Sequence, residues 1–236
     1  MLLICAGMSR SASTLQYQLA KHLVESKHVG VGIGHHYPHH SYRTDHIFVI
    51  KSEQPYSYLV AEAELGRAMC IGIYRDPRDV AVSSMHFFAS RHDYNPETLL
   101  TGTYGEVILH HLPAAIRWFS VWEPYLSLTL CYEDVYNSES HWVQHLLDIA
   151  DLLSIPLTAG EATAIYAEHT IDRNIQTQSE LTEWLDYKHS MLTRFHVSSR
   201  RGVPGTYNDV LELDQIQFIE DQYKEWMQTH GYTLSP

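Results

Sequence analysis

Leu2-Leu3-Ile4-Cys5-Ala6-Gly7-Met8-Ser9-Arg10-Ser11-Ala12-Ser13-Thr14-Leu15 opens the chain. Five apolar residues, Leu2 to Ala6, read as a fully buried strand. A turn of small and polar residues follows, and Leu15, Leu19 and Leu23 then recur at i, i+4 and i+8, the spacing of one helix face. A strand that passes through a small-residue turn into a helix is the unit from which parallel sheets are built. It is also a phosphate cradle: backbone N–H groups and the positive end of the helix dipole face outward, and hydroxyls add donors. The same residues also suit an ordinary turn in which Ser or Thr caps the helix. The nucleotide-triphosphatase pattern, with four residues between Gly and Gly-Lys-Ser/Thr, is absent.

Outward from that unit the pattern repeats. His46-Ile47-Phe48-Val49-Ile50, Met69 to Tyr74 and Ser127 to Cys131 are further apolar runs of strand length, and helical periodicity covers roughly Glu139 to Leu153, Ala159 to Glu168 and Leu213 to Gln228. Asp76 and Pro77 supply an N-cap and a first helical residue after the run Met69 to Tyr74. Continuously apolar strands separated by helices predict a parallel sheet covered on both faces, an α/β/α sandwich. No repeat or linker interrupts the alternation, so 1–236 reads as a single domain.

In open parallel sheets ligands bind beyond the carboxyl ends of the strands. Read there, the sequence supplies Arg10, then Lys51-Ser52-Glu53, then Arg75, then Tyr132-Glu133-Asp134. The chain holds 16 Lys+Arg against 28 Asp+Glu, a net charge of −12. Three cations delivered to one sheet edge by so acidic a chain predict a local anion pocket, whereas the overall balance argues against a nucleic-acid binder. A hydrophobic fraction of 44% with 19% charged residues excludes a disordered or fibrous chain. No apolar run is long enough for a membrane span and no signal peptide is evident, so a cytoplasmic location is expected. Cys5, Cys70 and Cys131 each sit in a strand and read as buried small hydrophobes.

Two more segments carry chemistry. In Arg75-Asp76-Pro77-Arg78-Asp79-Val80-Ala81-Val82-Ser83, an arginine at a strand end and a serine about two helical turns later can approach one group. In Ser199-Arg200-Arg201-Gly202-Val203-Pro204-Gly205-Thr206-Tyr207, arginine forks lie beside glycines that let backbone N–H groups come close. A well-capped helix start and a solvated loop are their plain alternatives. His35, His36, His39 and His40 lack the spacing of a metal site and read as a surface or acceptor-pocket loop.

Taken in order, these segments resemble the sulfotransferases that use 3′-phosphoadenosine 5′-phosphosulfate (PAPS). The family's 5′-phosphosulfate loop resembles Ser9 to Thr14, its Arg…Ser 3′-phosphate motif resembles Arg75 to Ser83, its Tyr-Glu-Asp resembles Tyr132 to Asp134, and its late Arg-Lys-Gly loop resembles Arg200 to Tyr207. The resemblance implies a P-loop-type sulfotransferase fold and transfer of a sulfuryl group to a hydroxyl or amine of a small molecule, with 3′-phosphoadenosine 5′-phosphate (PAP) as product and no metal. It implies Glu53 as base, with Lys51 and Arg10 stabilising charge, and His86 or His111 as substitutes for the base. Arg10, Ser11, Ala12, Ser13, Thr14 and Leu15 would hold the phosphosulfate end. Arg75, Ser83, Arg200, Arg201 and Gly202 would hold the 3′-phosphate, Tyr132 would lie near the adenine, and Thr170 would border it on spacing alone. Arg10, an arginine, serves by charge rather than as an acid.

The sequence departs from that family at Ala12, where a glycine is usual, at Leu15 and Tyr207, which replace aromatic and Trp positions, and at Glu53, where cytosolic members carry His. The family's dimerisation motif is missing, so oligomeric state is not carried over. Two rivals stand beside this reading: a noncatalytic nucleotide-binding scaffold on the same fold, and a phosphotransferase. The acceptor wall is expected from His35 to Tyr42 and Met85 to Tyr94, whose aromatic faces and few cations favour a small neutral or cationic metabolite over a polyanionic glycan.

Overall fold

The computed structural model describes residues 1–35, 46–89, 105, 107–183, 185–186, 190–194 and 196–235. Five strands form one parallel sheet: β1 (Leu2–Cys5), β2 (Gly30–Gly32), β3 (Ile47–Lys51), β4 (Ala68–Tyr74) and β5 (Leu126–Cys131), in the order β2-β3-β1-β4-β5. β1 is central, with Leu2 opposite both Phe48 of β3 and Ala68 of β4. Strand side chains alternate between faces. Leu3 and Cys5 therefore join Val49, Ile71 and Ile73 against α1 (Ser13–Ser26), α6 (Glu139–Leu152) and α7 (Ala159–Ala167). Leu2 and Ile4 join Ile50 and Cys70 on the opposite face, against Leu59 of α2 (Ser57–Glu64) and Trp122 of α4 (Leu112–Trp122). A further apolar cluster packs α3 (Pro77–Ala89) against α4 and α9 (Leu213–Thr229). These are the three layers the sequence predicts.

Among the described residues, α5 (Tyr132–Val135) and α8 (Ile171–Glu180) are the remaining α-helices. The sequence reading misses β2 because Gly-Val-Gly has no apolar run. It also passes over α2, α4 and α8. Asp76 caps α3 as expected, its Oδ1 accepting the Arg78 N–H at 2.8 Å with Pro77 as the first helical residue. Cys5 and Cys70 are buried, Cys131 is partly buried, and all three are free thiols. Among the described residues no helix is long and apolar enough to cross a membrane.

The strand order explains the site. The chain runs from β1 to one side, through β2 and β3, then crosses to β4 on the other, which leaves a crevice at the carboxyl ends of the central strands. The neighbours β3, β1 and β4 end next to one another, and the residues they deliver are Lys51, the 6–12 turn and Arg75.

Candidate active site

The turn after β1 is tight. A Cβ on Gly7 would lie 2.8 Å from both the Ile73 side chain and the Ser13 Cβ, so no larger residue fits where the turn crosses β4. Arg10 (φ +66°) and Ala12 (φ +69°) are both left-handed, a region costly for residues with a Cβ. Ala12 is the N-cap of α1, and no side chain caps this helix end; nor does an acidic residue occupy its first turn. The hydroxyls that a plain capping turn would use are engaged elsewhere. Ser9 and Ser13 donate to Glu53 Oε2 and Oε1 at 2.7 and 2.9 Å. Ser11 is fully buried and donates to the carbonyls of Met8 and Ile73, so its hydroxyl holds the turn onto β4 and does not face the cavity. The helix N-terminus thus keeps its positive end for an external anion.

A cavity of about 480 Å³ lies over this turn, and Arg10, Lys51, Glu53 and Arg75 all line it. Lys51 is buried and pairs with Glu53 at 2.5 Å. Burial would push the Glu53 carboxyl up, but the Lys51 charge and the bonds from Lys51, Ser9 and Ser13 outweigh it and hold the group at about 2. Burial, assisted by Arg75, lowers Arg10 to about 10 against the pull of Glu53, which leaves it a cation at neutral pH. Arg10 donates from Nε to Ser83 Oγ (3.1 Å) and from Nη2 to the His196 carbonyl (3.0 Å). Its guanidinium also lies over the Phe87 ring, 4.8 Å from the centroid.

Arg75 stands at the end of β4, buried, with its guanidinium 4.2 Å over the Tyr132 ring. It donates to the carbonyls of Arg10 (3.4 Å) and Gly202 (3.1 Å) and lies 3.5 Å from Asp79. Tyr132 donates to the same Gly202 carbonyl at 2.8 Å. Gly202 has φ +75°, and an added Cβ would strike the Tyr132 hydroxyl, so the position requires glycine. Ser83 and Gly202 line the main cavity and also a second one of about 320 Å³, and Arg200 lines only the second.

In the late loop each of the adjacent arginines has an acidic partner: Arg201 donates to Asp172 at 2.7 Å and Arg200 lies 3.8 Å from Asp209. Asp79 also accepts the N–H groups of Gly205 and Tyr207 at 2.7 and 3.1 Å. Thr170 does not line the main cavity. It caps α8, accepting the Arg173 N–H, and its neighbours Ile171 and Asn174 line the cavity instead. Tyr207 lies under the Arg78 guanidinium, 4.3 Å from its ring centroid, away from both cavities.

Ala12, Ser13, Thr14 and Leu15 line the main cavity with Tyr132 and Arg201. Of the substitute bases, His111 lines it and His86 lines only the second. Phe87 and Phe88 stand in its wall, as the sequence predicts; His36, His39, His40, Tyr42 and Tyr94 lie outside the described residues. The reading of the sequence misses Trp118, Tyr136, Trp142 and Tyr166, which also line the cavity. Trp118, Trp142 and Tyr166 belong to apolar helix faces and Tyr136 directly follows α5, and none gives a signal apart from core residues. It also misses His196, whose imidazole lies where burial and then Arg10 and Lys51 lower its pKa well below the ordinary value.

Among the described residues no group of three or more His, Cys, Asp or Glu could hold a metal ion. The sulfotransferase domain family matches residues 11–231, which include the start of α1, Lys51, Arg75 and the late loop. The chain belongs to the sulfotransferase family. No curated protein matches this sulfotransferase in sequence. Its fold is similar to that of mouse sulfotransferase SULT7A1, solved with PAP, at a TM-score of 0.69 and 15% identity, covering 96% of this chain and 84% of that one. It is also similar to retinol dehydratase solved with androsterone and PAP (TM-score 0.63, 15% identity, 100% and 82% covered) and to the same enzyme with retinol and PAP (0.60, 16%, 100% and 82%).

Proposed function

We propose that the chain acts as one sulfotransferase domain that moves a sulfuryl group from PAPS to a hydroxyl or amine of a small acceptor. One observation carries this reading: an uncapped helix N-terminus lies beneath a cavity into which three neighbouring strands send Arg10, Lys51 and Arg75. That arrangement offers backbone N–H groups and charge-assisted donors to a phosphosulfate. The 3′-phosphate goes to Arg75, Ser83, Arg200, Arg201 and Gly202. The adenine goes to Tyr132 and the aromatic wall beyond it.

In-line transfer needs a proton acceptor, cations for the charge on the sulfuryl and leaving oxygens, and fixed geometry. Glu53 is the proton acceptor and Arg10 and Lys51 are the cations. Glu53 is saturated by three donors, Ser9, Ser13 and Lys51. An anionic donor draws Lys51 and Ser13 towards itself, which frees the carboxylate and raises its basicity. Phe87, Phe88 and Trp118 give the acceptor side flat apolar faces, suited to a small ring-bearing or apolar alcohol, phenol or amine. The retinol and androsterone held by the dehydratase are molecules of that kind.

The saturation of Glu53 also favours a second reading, a scaffold that binds the nucleotide without turnover. Thermal stabilisation by PAP against ATP with magnesium, with and without a chelator, tests the donor. PAP at a hundredfold over its Kd should add about 2.7 kcal/mol. Better stabilisation by ATP, lost on chelation, would sink the PAPS reading. Transfer of labelled sulfate from PAPS across a panel of small alcohols, phenols and amines, with a polyanionic glycan alongside, separates enzyme from scaffold and tests the acceptor class.

A further inference from the structure

Two residues that line the second cavity each carry a buried polar atom with no hydrogen-bond partner, Nε2 of His86 and Nε of Arg75. Ser83 and His86 are three residues apart on α3, and side chains at that spacing share one helix face. Both line this cavity together with Arg75, Arg200 and Gly202. A buried donor or acceptor without a partner carries an uncompensated desolvation cost, which a bound ligand of matching chemistry removes. Paired donors around a space of about 320 Å³ match a tetrahedral oxyanion.

We propose that His86 is a further ligand of the donor's 3′-phosphate, and that this contact couples donor binding to uptake of a proton. The proposal rests on the assignment of Arg75, Ser83 and Gly202 to that phosphate. The titratable and charged groups around the imidazole come from four segments: Arg75 from the end of β4, Asp79 from α3, Arg200 from the late loop, and Arg10 from the turn after β1. Burial, then Arg10, lower the His86 pKa and so favour the neutral ring. A phosphate dianion placed against the same ring favours the imidazolium and raises it. Between those two values binding takes one proton from solvent onto the ring, and no covalent bond is made or broken. This phosphate ligand lies outside the motif arginines and serine, and its effect is a pH-dependent donor affinity.

The test compares wild type with His86→Gln, which keeps a neutral amide donor but cannot gain a proton, and with His86→Asn as a second variant. Each is titrated calorimetrically with PAP and with 5′-AMP, in two buffers of unlike ionisation enthalpy, from pH 6 to pH 8. Melting temperatures without ligand report that each variant is folded. Wild type should take up protons on binding PAP and not on binding 5′-AMP, and both variants should lose that uptake. The wild-type advantage over His86→Gln for PAP should grow as pH falls from 8 to 6, towards the limit of about tenfold that a one-unit rise in the imidazole's pKa on binding sets. Equal uptake and a constant affinity ratio in wild type and variants would overturn the role of His86 while leaving a PAP preference intact. Wild type that binds 5′-AMP as well as PAP would instead overturn the 3′-phosphate assignment beneath it.

Discussion

Ala12 is the residue at which the family's glycine has been replaced, and the structure gives the physical cost. At φ +69° its Cβ sits in a backbone region that costs about 1–2 kcal/mol for residues other than glycine. Ala12→Gly should therefore raise the midpoint of thermal unfolding, by about 2–4 °C per kcal/mol for a chain of this size. An unchanged or lowered midpoint would mean that the turn is relaxed around the alanine. Glu53→Gln takes a negative charge out of the anion cavity and removes the proposed proton acceptor. PAP affinity should hold or rise, measured by calorimetry, while turnover falls by about 10² to 10⁴. Normal turnover would move the base to His111 or His196. Arg75→Ala, by contrast, should weaken PAP itself, by about 1.5–3 kcal/mol for each charge-assisted bond lost. These roles are legible in the sequence because motif residues sit at strand ends. The inward turn of Ser11 is not, since only the packing of the turn on β4 decides which hydroxyl points where.

At the scale of elements, α3 is held at its start by a buried ion cluster. Arg78 pairs with Asp76 at 2.6 Å and with Glu220 of α9 at 2.5 Å, and Glu220 in turn accepts from the N–H of Ser235 near the end of the chain at 2.9 Å. Both Arg78 and Glu220 are nearly inaccessible. Removing one member of a buried pair leaves an uncompensated charge. Glu220→Gln should lower unfolding free energy by about 3 kcal/mol, read from urea denaturation, with PAP affinity of the folded variant preserved. A loss below about 0.5 kcal/mol would show that Asp76 alone satisfies Arg78. In the sequence Arg78 belongs to the phosphate motif, and nothing there separates it from Arg75. The strand end faces the cavity and the helix start faces α9, a distinction made by tertiary contacts. The late loop shows the same limit. Asp172 and Asp79 steady it from far along the chain.

Across the whole molecule, the pH response of stability is set by buried histidines. Burial lowers His145, on α6, to about 4, and lowers His169 to about 4 with help from His22 and Lys21. His145 lies 3.1 Å from the Gln16 amide, and His169 lies 3.0 Å from His22. A histidine whose folded pKa is depressed gives stability that is present above its unfolded value near 6.5 and is lost as pH falls towards 4. Denaturation midpoints should therefore decline between pH 6.5 and pH 4, and His145→Gln should make that decline shallower. A profile flat over that window would show that water reaches these rings in the folded protein. Seventeen histidines in the sequence do not reveal which are buried, because burial is a property of the assembled layers.

The alternation of apolar strands and one-sided helices determined the layered α/β fold, because each periodicity can bury its apolar residues in only one way. The order of motifs along the chain likewise determined the three cations, since every one of them follows an apolar strand. The edge strand β2 was decided by tertiary structure alone: three residues with one apolar side chain become a strand only when β3 offers its free edge. The aromatic wall of Trp142 and Tyr166 and the unpartnered Nε2 of His86 were decided in the same way. Each lies on a helix whose pattern says only that one face is buried, and the packing of the layers determines whether that face meets the core or a cavity.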